Sequence, residues 1–259
     1  MLDWSNATDA QILLFALIFL RMIAFVLSSA IFGSPTITSP VKVLLSVVLT
    51  VLLFPVVKVG NVNYDLISNE IIMLAIRELA VGLSLGFLTR LFFFTVSMTG
   101  DLVSMSVGLS ASQLYNPLLG TNGNTIDQFY TTIGTLVFLA INGHHMLING
   151  IAQSYELVPV SVLSFNFGPF AEMALYGQTI IMMAIKMCAP VLVTILLANI
   201  AMGILGRAVP QINVLVTSMP VTIMLGMTVV FLCLPLLAIE MTGLINLTAE
   251  KLFSVMKAL

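Results

Sequence analysis

Charged side chains are what this sequence has least of. Lysine, arginine, aspartate and glutamate make up 8% of its 259 residues, against about 25% in an ordinary soluble domain. So few ionised groups cannot cover a water-facing surface of normal size. That excludes a soluble globular protein and leaves an integral membrane protein or a buried subunit of one. No basic run occurs and the formal net charge is −2, which excludes a nucleic-acid-binding face. Cysteine is nearly absent, and Cys188 and Cys233 both lie inside apolar stretches. Two such thiols make no disulfide framework and read as small core residues. The two histidines, His144 and His145, are adjacent, so on a helix they share no face and fall short of a metal's ligand count. HExxH, GxSxG and P-loop patterns are missing, and Asp101 and Asp127, the nearest thing to an intramembrane aspartate pair, have no supporting motif. The expectation is a non-enzymatic chain with no metal and no cofactor.

Apolar residues fill the space that charge leaves, at 59% of the chain. They come in continuous runs rather than in alternation, which favours membrane helices over a barrel. Several runs reach the roughly 20 residues a spanning helix needs. The stretch before Arg21 is acidic and lacks the positive region of a cleaved signal, so the first run is expected to be a retained helix.

Six helices are expected: Asp9–Ile31, Val41–Val59, a long one from Glu70 towards Met98, Asp127–Glu156, Glu172–Leu205 and Val221–Ile245. Pro35 and Pro40 separate the first two. Gly100-Asp101 is expected to break or kink the third, and Pro190 to kink or split the fifth near Ala189. Residues 101–128 turn from apolar to rich in Ser, Asn and Gly without a lysine or arginine. Such a segment fits a re-entrant or pore-lining loop, because irregular backbone at membrane depth survives only against protein or water. The tail 247–259 is amphipathic, with Leu252, Val255, Met256 and Leu259 on one face. Gly82 and Gly86, and Gly203 with Gly206, offer close helix approach.

Nearly every run holds a charge where lipid would reject it. Arg21 sits in the first, Arg77, Glu78 and Arg90 in the third, Lys186 in the fifth and Glu240 in the last. Each such charge costs about 2.5 to 3.5 kcal/mol at a helix centre even on lenient scales. These helices therefore face one another, a partner subunit or water. Glu78 has three candidate partners on other helices, Arg21, Lys42 and Lys186. One reading is an interhelical pair that fixes packing; the other is a polar passage. Basic residues favour the cytoplasmic side, but Lys42, Arg90, Arg207 and the lysines of the tail cannot all lie inside if six spans alternate. Phe92-Phe93-Phe94 and the sixteen methionines fit either ordinary packing or a compliant gate.

A set of residues spread over the whole chain resembles one family. It comprises Arg21, the Pro35/Pro40–Lys42 turn, Glu78 with Gly82 and Gly86, Gly100, and Gly108-Leu109-Ser110 leading to Asn116-Pro117. It continues with Asn142-Gly143-His144, Ser154 followed by Pro159, and Pro190, and ends in Gly206-Arg207 with Pro210-Gln211 and Asn213-Val214. This pattern resembles the FliR family of type III secretion export-gate proteins, whose virulence-system members are called SctT. The resemblance implies an all-α, polytopic membrane-associated protein with kinked and broken helices, packed in a heteromeric helical assembly. It implies one export-gate domain over residues 1–259, in the bacterial inner membrane at the flagellar basal body. Its partners would be FliP and FliQ, with FlhB and FlhA nearby, membrane lipid around it and unfolded flagellar proteins passing through. The family's pore plug matches residues 108–120, with Leu109, Leu114, Tyr115, Leu118 and Leu119 as plugging groups. Arg21, Lys42, Arg77, Glu78, Lys186, Arg207 and Glu240 would be buried charges or inter-subunit packing groups. The alternative is a self-contained secondary transporter or channel using Glu78, Asp101 and Lys186.

Overall fold

Continuous apolar runs leave the backbone no solvent to bond, and local helical hydrogen bonding is the simplest remedy. The computed structural model describes residues 9–55, 57, 64–110, 125–160, 168–209 and 213–258. Seven helices occur among them: α1 (Asp9–Ser28), α2 (Ser39–Leu53), α3 (Tyr64–Val107), α4 (Thr125–Ala140), α5 (Gly143–Leu157), α6 (Gly168–Ala208) and α7 (Val214–Ala258). No strand is present among the described residues. Four helices are long and apolar enough to cross a membrane, or five spans if α4 and α5 count as one bent span.

Each expected helix has a counterpart, but several boundaries move. The expected fourth helix breaks after Ala140 and resumes at Gly143, with Asn142 at φ 57°. Asparagine tolerates that left-handed conformation better than most residues. Gly100 does not break α3, which runs on to Val107. A side chain at Gly100 would meet the Asp127 backbone at 2.7 Å, so this glycine makes room for the start of α4. Pro190 does not split α6, and Pro220 and Pro235 lie inside α7. Membrane helices tolerate such prolines because their surroundings re-satisfy the freed groups. The tail is not a separate element but the last turns of α7. At Pro40 the expectation holds: it occupies the first turn of α2, where its missing N–H is harmless.

The three long helices have 44, 41 and 45 residues. At about 1.5 Å per residue they reach over 60 Å, roughly twice a bilayer's hydrocarbon core. The shorter α1 buries one stripe, Leu14, Leu17, Ile18, Arg21, Met22 and Phe25, the 3–4 spacing of a helix face turned inward.

The chain forms two compact units. The first comprises Met1–Leu91, Gly143–Tyr176 and Leu247–Leu259. Within it α1 and α2 make an antiparallel hairpin, with the rings of Phe15 and Phe54 5.9 Å apart. The buried face of α2 holds Ser46, Thr50 and Leu53, while Leu44 and Leu52 point outward. Both hydroxyls donate to carbonyls one turn back, so no polar hydrogen is left over. Tyr176 and Thr248 join hydroxyls at 2.8 Å, and Leu252 of the α7 tail lies over Gly150.

The second unit comprises Phe92–Asn142 and Gly177–Asn246. Phe92 and Phe93 both pack on Phe138, with centroids 6.1 and 5.7 Å apart. Gly134 faces Val96 and Gly226 faces Val107, each so closely that a methyl group would not fit. The outer faces of α6 and α7 remain strongly apolar: Met182, Leu197, Leu232 and Ile239 are all more than 60% exposed. Surfaces like these are covered by lipid or by protein.

Candidate functional site

Arg21 is the most buried charge in the first unit, at 0% exposure, and Glu78 matches it. Of the three partners the sequence leaves open for Glu78, the structure supplies Arg21. Its Nε donates to Oε2 of Glu78 at 2.6 Å and its Nη2 to Oε1 at 2.9 Å. This two-pronged fit uses the planar fork that lysine lacks. Nη1 donates to Ser154 Oγ at 3.0 Å and Nη2 also to the Val158 carbonyl at 3.0 Å. Ser154 passes its own proton on to the Ile151 carbonyl at 2.6 Å. Above the guanidinium lies the ring of Tyr155, 4.1 Å from Cζ to centroid, a cation–π contact in a dry setting. Removing two ions from water costs several kcal/mol each, and this number of partners is what offsets it.

Glycine positions the pair. A Cβ on Gly82 would run into the Arg21 carbonyl, and one on Gly86 into Ser28 Oγ. Two missing side chains, one turn apart, therefore let α1 lie directly on α3 and bring Arg21 to Glu78. The Gly203–Gly206 pair is different: nothing lies within 4 Å of a Cβ at Gly203, so it gives no close approach within the described chain. Neighbouring Arg77 turns to another partner, and its Nη1 donates to the Pro159 carbonyl at 3.0 Å. Two arginines thus meet the carbonyls just past the end of α5, the negative end of a helix dipole. Sequence reasoning missed Tyr155 and these carbonyls as site groups. A signal was present: Pro159 ends a helix, and a helix end leaves four carbonyls without intrahelical donors.

In the second unit Lys186 of α6 meets Glu240 of α7, with Nζ 2.9 Å from both carboxylate oxygens. Here the side chains are 60% and 23% exposed. Lys42, at the start of α2, donates to the Gly33 carbonyl at 2.9 Å and so closes the α1–α2 turn. Arg207 is exposed in the last turn of α6, the end of a helix that favours a cation. Of the transporter reading's three residues, Glu78 is held by Arg21 and Lys186 by Glu240, while Asp101 is half-buried within α3.

The expected plug segment begins where α3 ends. Gly108 has φ +93°, and the N–H groups of Gly108 and Leu109 both reach the Ser104 carbonyl, at 3.2 and 3.1 Å. This is a glycine-terminated helix end, in which a left-handed residue satisfies otherwise free carbonyls. Leu109 is exposed there. Leu114, Tyr115, Leu118 and Leu119 lie outside the described residues.

Comparison with known proteins agrees along the chain. A family model described as bacterial export proteins, family 1, matches residues 12–248. The chain is similar to the flagellar biosynthetic protein FliR of Bacillus subtilis (strain 168), 29% identical over 240 residues, covering 91% of this chain and 92% of that protein. It is similar to the FliR proteins of Aquifex aeolicus (strain VF5), 26% identical with 87% and 86% covered, and of Escherichia coli (strain K12), 25% identical with 85% and 83% covered. With nearly its whole length matched, this chain belongs to the bacterial export proteins, family 1, the FliR family.

Proposed function

We propose that this chain is a non-enzymatic subunit of the flagellar type III secretion export gate. With FliP-like and FliQ-like subunits it forms the channel through which unfolded flagellar proteins leave the cytoplasm. Its place is the bacterial inner membrane within the basal body, with FlhB and FlhA at the cytoplasmic side. The supporting observation is the mismatch between its helices and a bilayer. The apolar windows of α6 and α7 run 34 and 39 residues, about 50 Å or more, where a bilayer needs about 30 Å. An exposed ion pair lies inside both windows. A chain embedded alone in lipid has no use for either feature, whereas a subunit wrapped by sister proteins accommodates both. The FliR name of its relatives supplies the flagellar assignment.

Within this reading residues 108–120 plug the closed channel, with Leu109, Leu114, Tyr115, Leu118 and Leu119 excluding water. A glycine-started apolar loop suits that task, since it seals against ions yet yields to a peptide. Arg207 sits at an inter-subunit contact.

Co-expression tests the assignment. Made with FliP-like and FliQ-like subunits, the chain co-purifies as one heteromeric complex by mass, and made alone it aggregates in detergent. A well-behaved lone monomer or dimer that carries solute across liposomes would establish the transporter instead. For the plug, deletion of Ser110–Leu119 raises ion leak through cells holding the assembled complex. Unchanged leak with assembly intact rejects that role for the loop.

A further inference from the structure

A helix end closed by a glycine needs no further fastening, yet the end of α3 is held by a second helix. Val107, its last residue, is 1% exposed, and its side chain fills the space that a Cβ on Gly226 of α7 would take. One turn earlier on α7, the buried Thr222 hydroxyl lies 3.0 Å from the Met219 carbonyl and 3.4 Å from the Val107 carbonyl. One residue of α3 is therefore gripped at both its side chain and its carbonyl. Beyond it Gly108 turns left-handed, and the hydroxyls of Ser104 and Ser110 join across the turn at 3.0 Å. These contacts fix the direction in which the chain leaves α3.

The chain also returns to α3. Asp127, in the first turn of α4, lies against Gly100. Gly100 and Val107 are about 10 Å apart along the helix, so the outgoing and returning feet stand close together. They are held differently. At Gly100 the backbone of Asp127 and Cβ of Tyr130 pack directly on α3, and the contact is built into the pairing of two helices. At Val107 the hold is one side chain in a notch, one long hydroxyl bond and one hydroxyl pair, all neutral. The outgoing foot is the one that can let go.

We propose that Val107, seated in the notch formed by Gly226 and Thr222, is a latch through which α7 holds the outgoing foot of segment 108–120 and so sets its closed position. This rests on the plug reading above and adds the element that positions the plug. Val107, Gly226 and Thr222 are positioning residues: they act through the segment that follows them.

The experiment uses the full chain assembled with FliP-like and FliQ-like subunits and reads ion leak across cells at matched complex yield. Gly226→Ala drives a methyl group into Val107 and is expected to raise leak towards that of the Ser110–Leu119 deletion. Val107→Ala empties the notch and should leak as well. The double variant V107A/G226A should fall back close to the unaltered complex, because the new methyl group refills the space the valine leaves; such non-additivity marks residues in direct contact. Gly134→Ala is the control. It drives a methyl group into Val96, in the same unit but about 16 Å along α3 from Val107, and should not leak. Ser104→Ala adds no volume and should raise leak by a smaller factor, by cutting the link to Ser110; it decides the matter should Gly226→Ala fail to assemble. Unchanged leak in these variants, equal leak from Gly134→Ala, or a double variant as leaky as the single ones overturns the latch. Should the Ser110–Leu119 deletion itself not leak, the plug reading falls and the latch with it; should it leak while the latch variants stay tight, only the latch is wrong.

Discussion

Two ion pairs on apolar helices have opposite surroundings in this molecule. Arg21 and Glu78 are both at 0% exposure, and the arginine also reaches Ser154, the Val158 carbonyl and the Tyr155 ring. Among the described residues Lys186 and Glu240 hold only each other, at 60% and 23% exposure. The first pair is complete within the chain, so it reads as a pin for the packing of α1, α3 and α5. The second is open on its outer side. A polar group on a membrane helix thus does not by itself tell lining from packing. The number of partners it finds inside its own chain does.

The sharpest way to break this contrast is to remove one acid from each pair. Glu78→Ala leaves a buried guanidinium without its counter-charge, which costs about 3 to 5 kcal/mol. The chain should be nearly absent from membranes, as measured by its steady-state level against the unaltered protein. Glu240→Ala should lower the level of the chain expressed alone only slightly, because an exposed pair contributes about 0 to 1 kcal/mol. Equal losses from the two would erase the distinction.

A smaller effect separates the glycines. In Gly82→Leu the new side chain runs into the Arg21 carbonyl and lies 2.8 Å from Ala24 Cβ before any adjustment. Overpacking of this kind costs about 1 to 3 kcal/mol. Gly203→Leu enters open space within this chain, so its effect on the chain alone is within about 0.5 kcal/mol. Thermal unfolding midpoints of detergent-solubilised protein decide it. Gly203 variants that unfold as early as Gly82 variants would mean that both glycines pack alike.

Much of this could be read from the residues, and the rest failed for identifiable reasons. Helix positions followed from run length and composition, because hydrocarbon leaves the backbone few alternatives. The end of α3 was poorly placed because a breaker residue had a packing duty: Gly100 yields space to Asp127. The charges at Arg21 and Glu78 were conspicuous in sequence, but their pairing was not, since Lys42 and Lys186 offered the same chemistry. What chose Arg21 is the close approach at Gly82 and Gly86, a feature of two helices that no single run reveals. Tyr155 was invisible for a simpler reason: an aromatic near a helix end has many uses, and only the fold places it over a guanidinium.

That residue supplies the finest test of how the pin works. Tyr155 contributes its ring face to Arg21 at 4.1 Å and a long hydroxyl bond to the Ile18 carbonyl at 3.4 Å. If the ring carries the interaction, Tyr155→Phe keeps it and gives up only a bond near the limit of useful length, a loss of about 0.5 kcal/mol, the lower end for one hydrogen bond. Tyr155→Leu removes the π-face altogether, and a desolvated cation–π contact contributes about 2 kcal/mol. The leucine variant should therefore unfold several degrees below the phenylalanine variant, with both still folded. The reverse order, or a phenylalanine variant as unstable as the leucine one, would transfer the role from the ring to the hydroxyl. Arg21 would then be held by Glu78, Ser154 and the backbone alone, and the contrast with Lys186 would rest on hydrogen bonds rather than on enclosure by an aromatic wall.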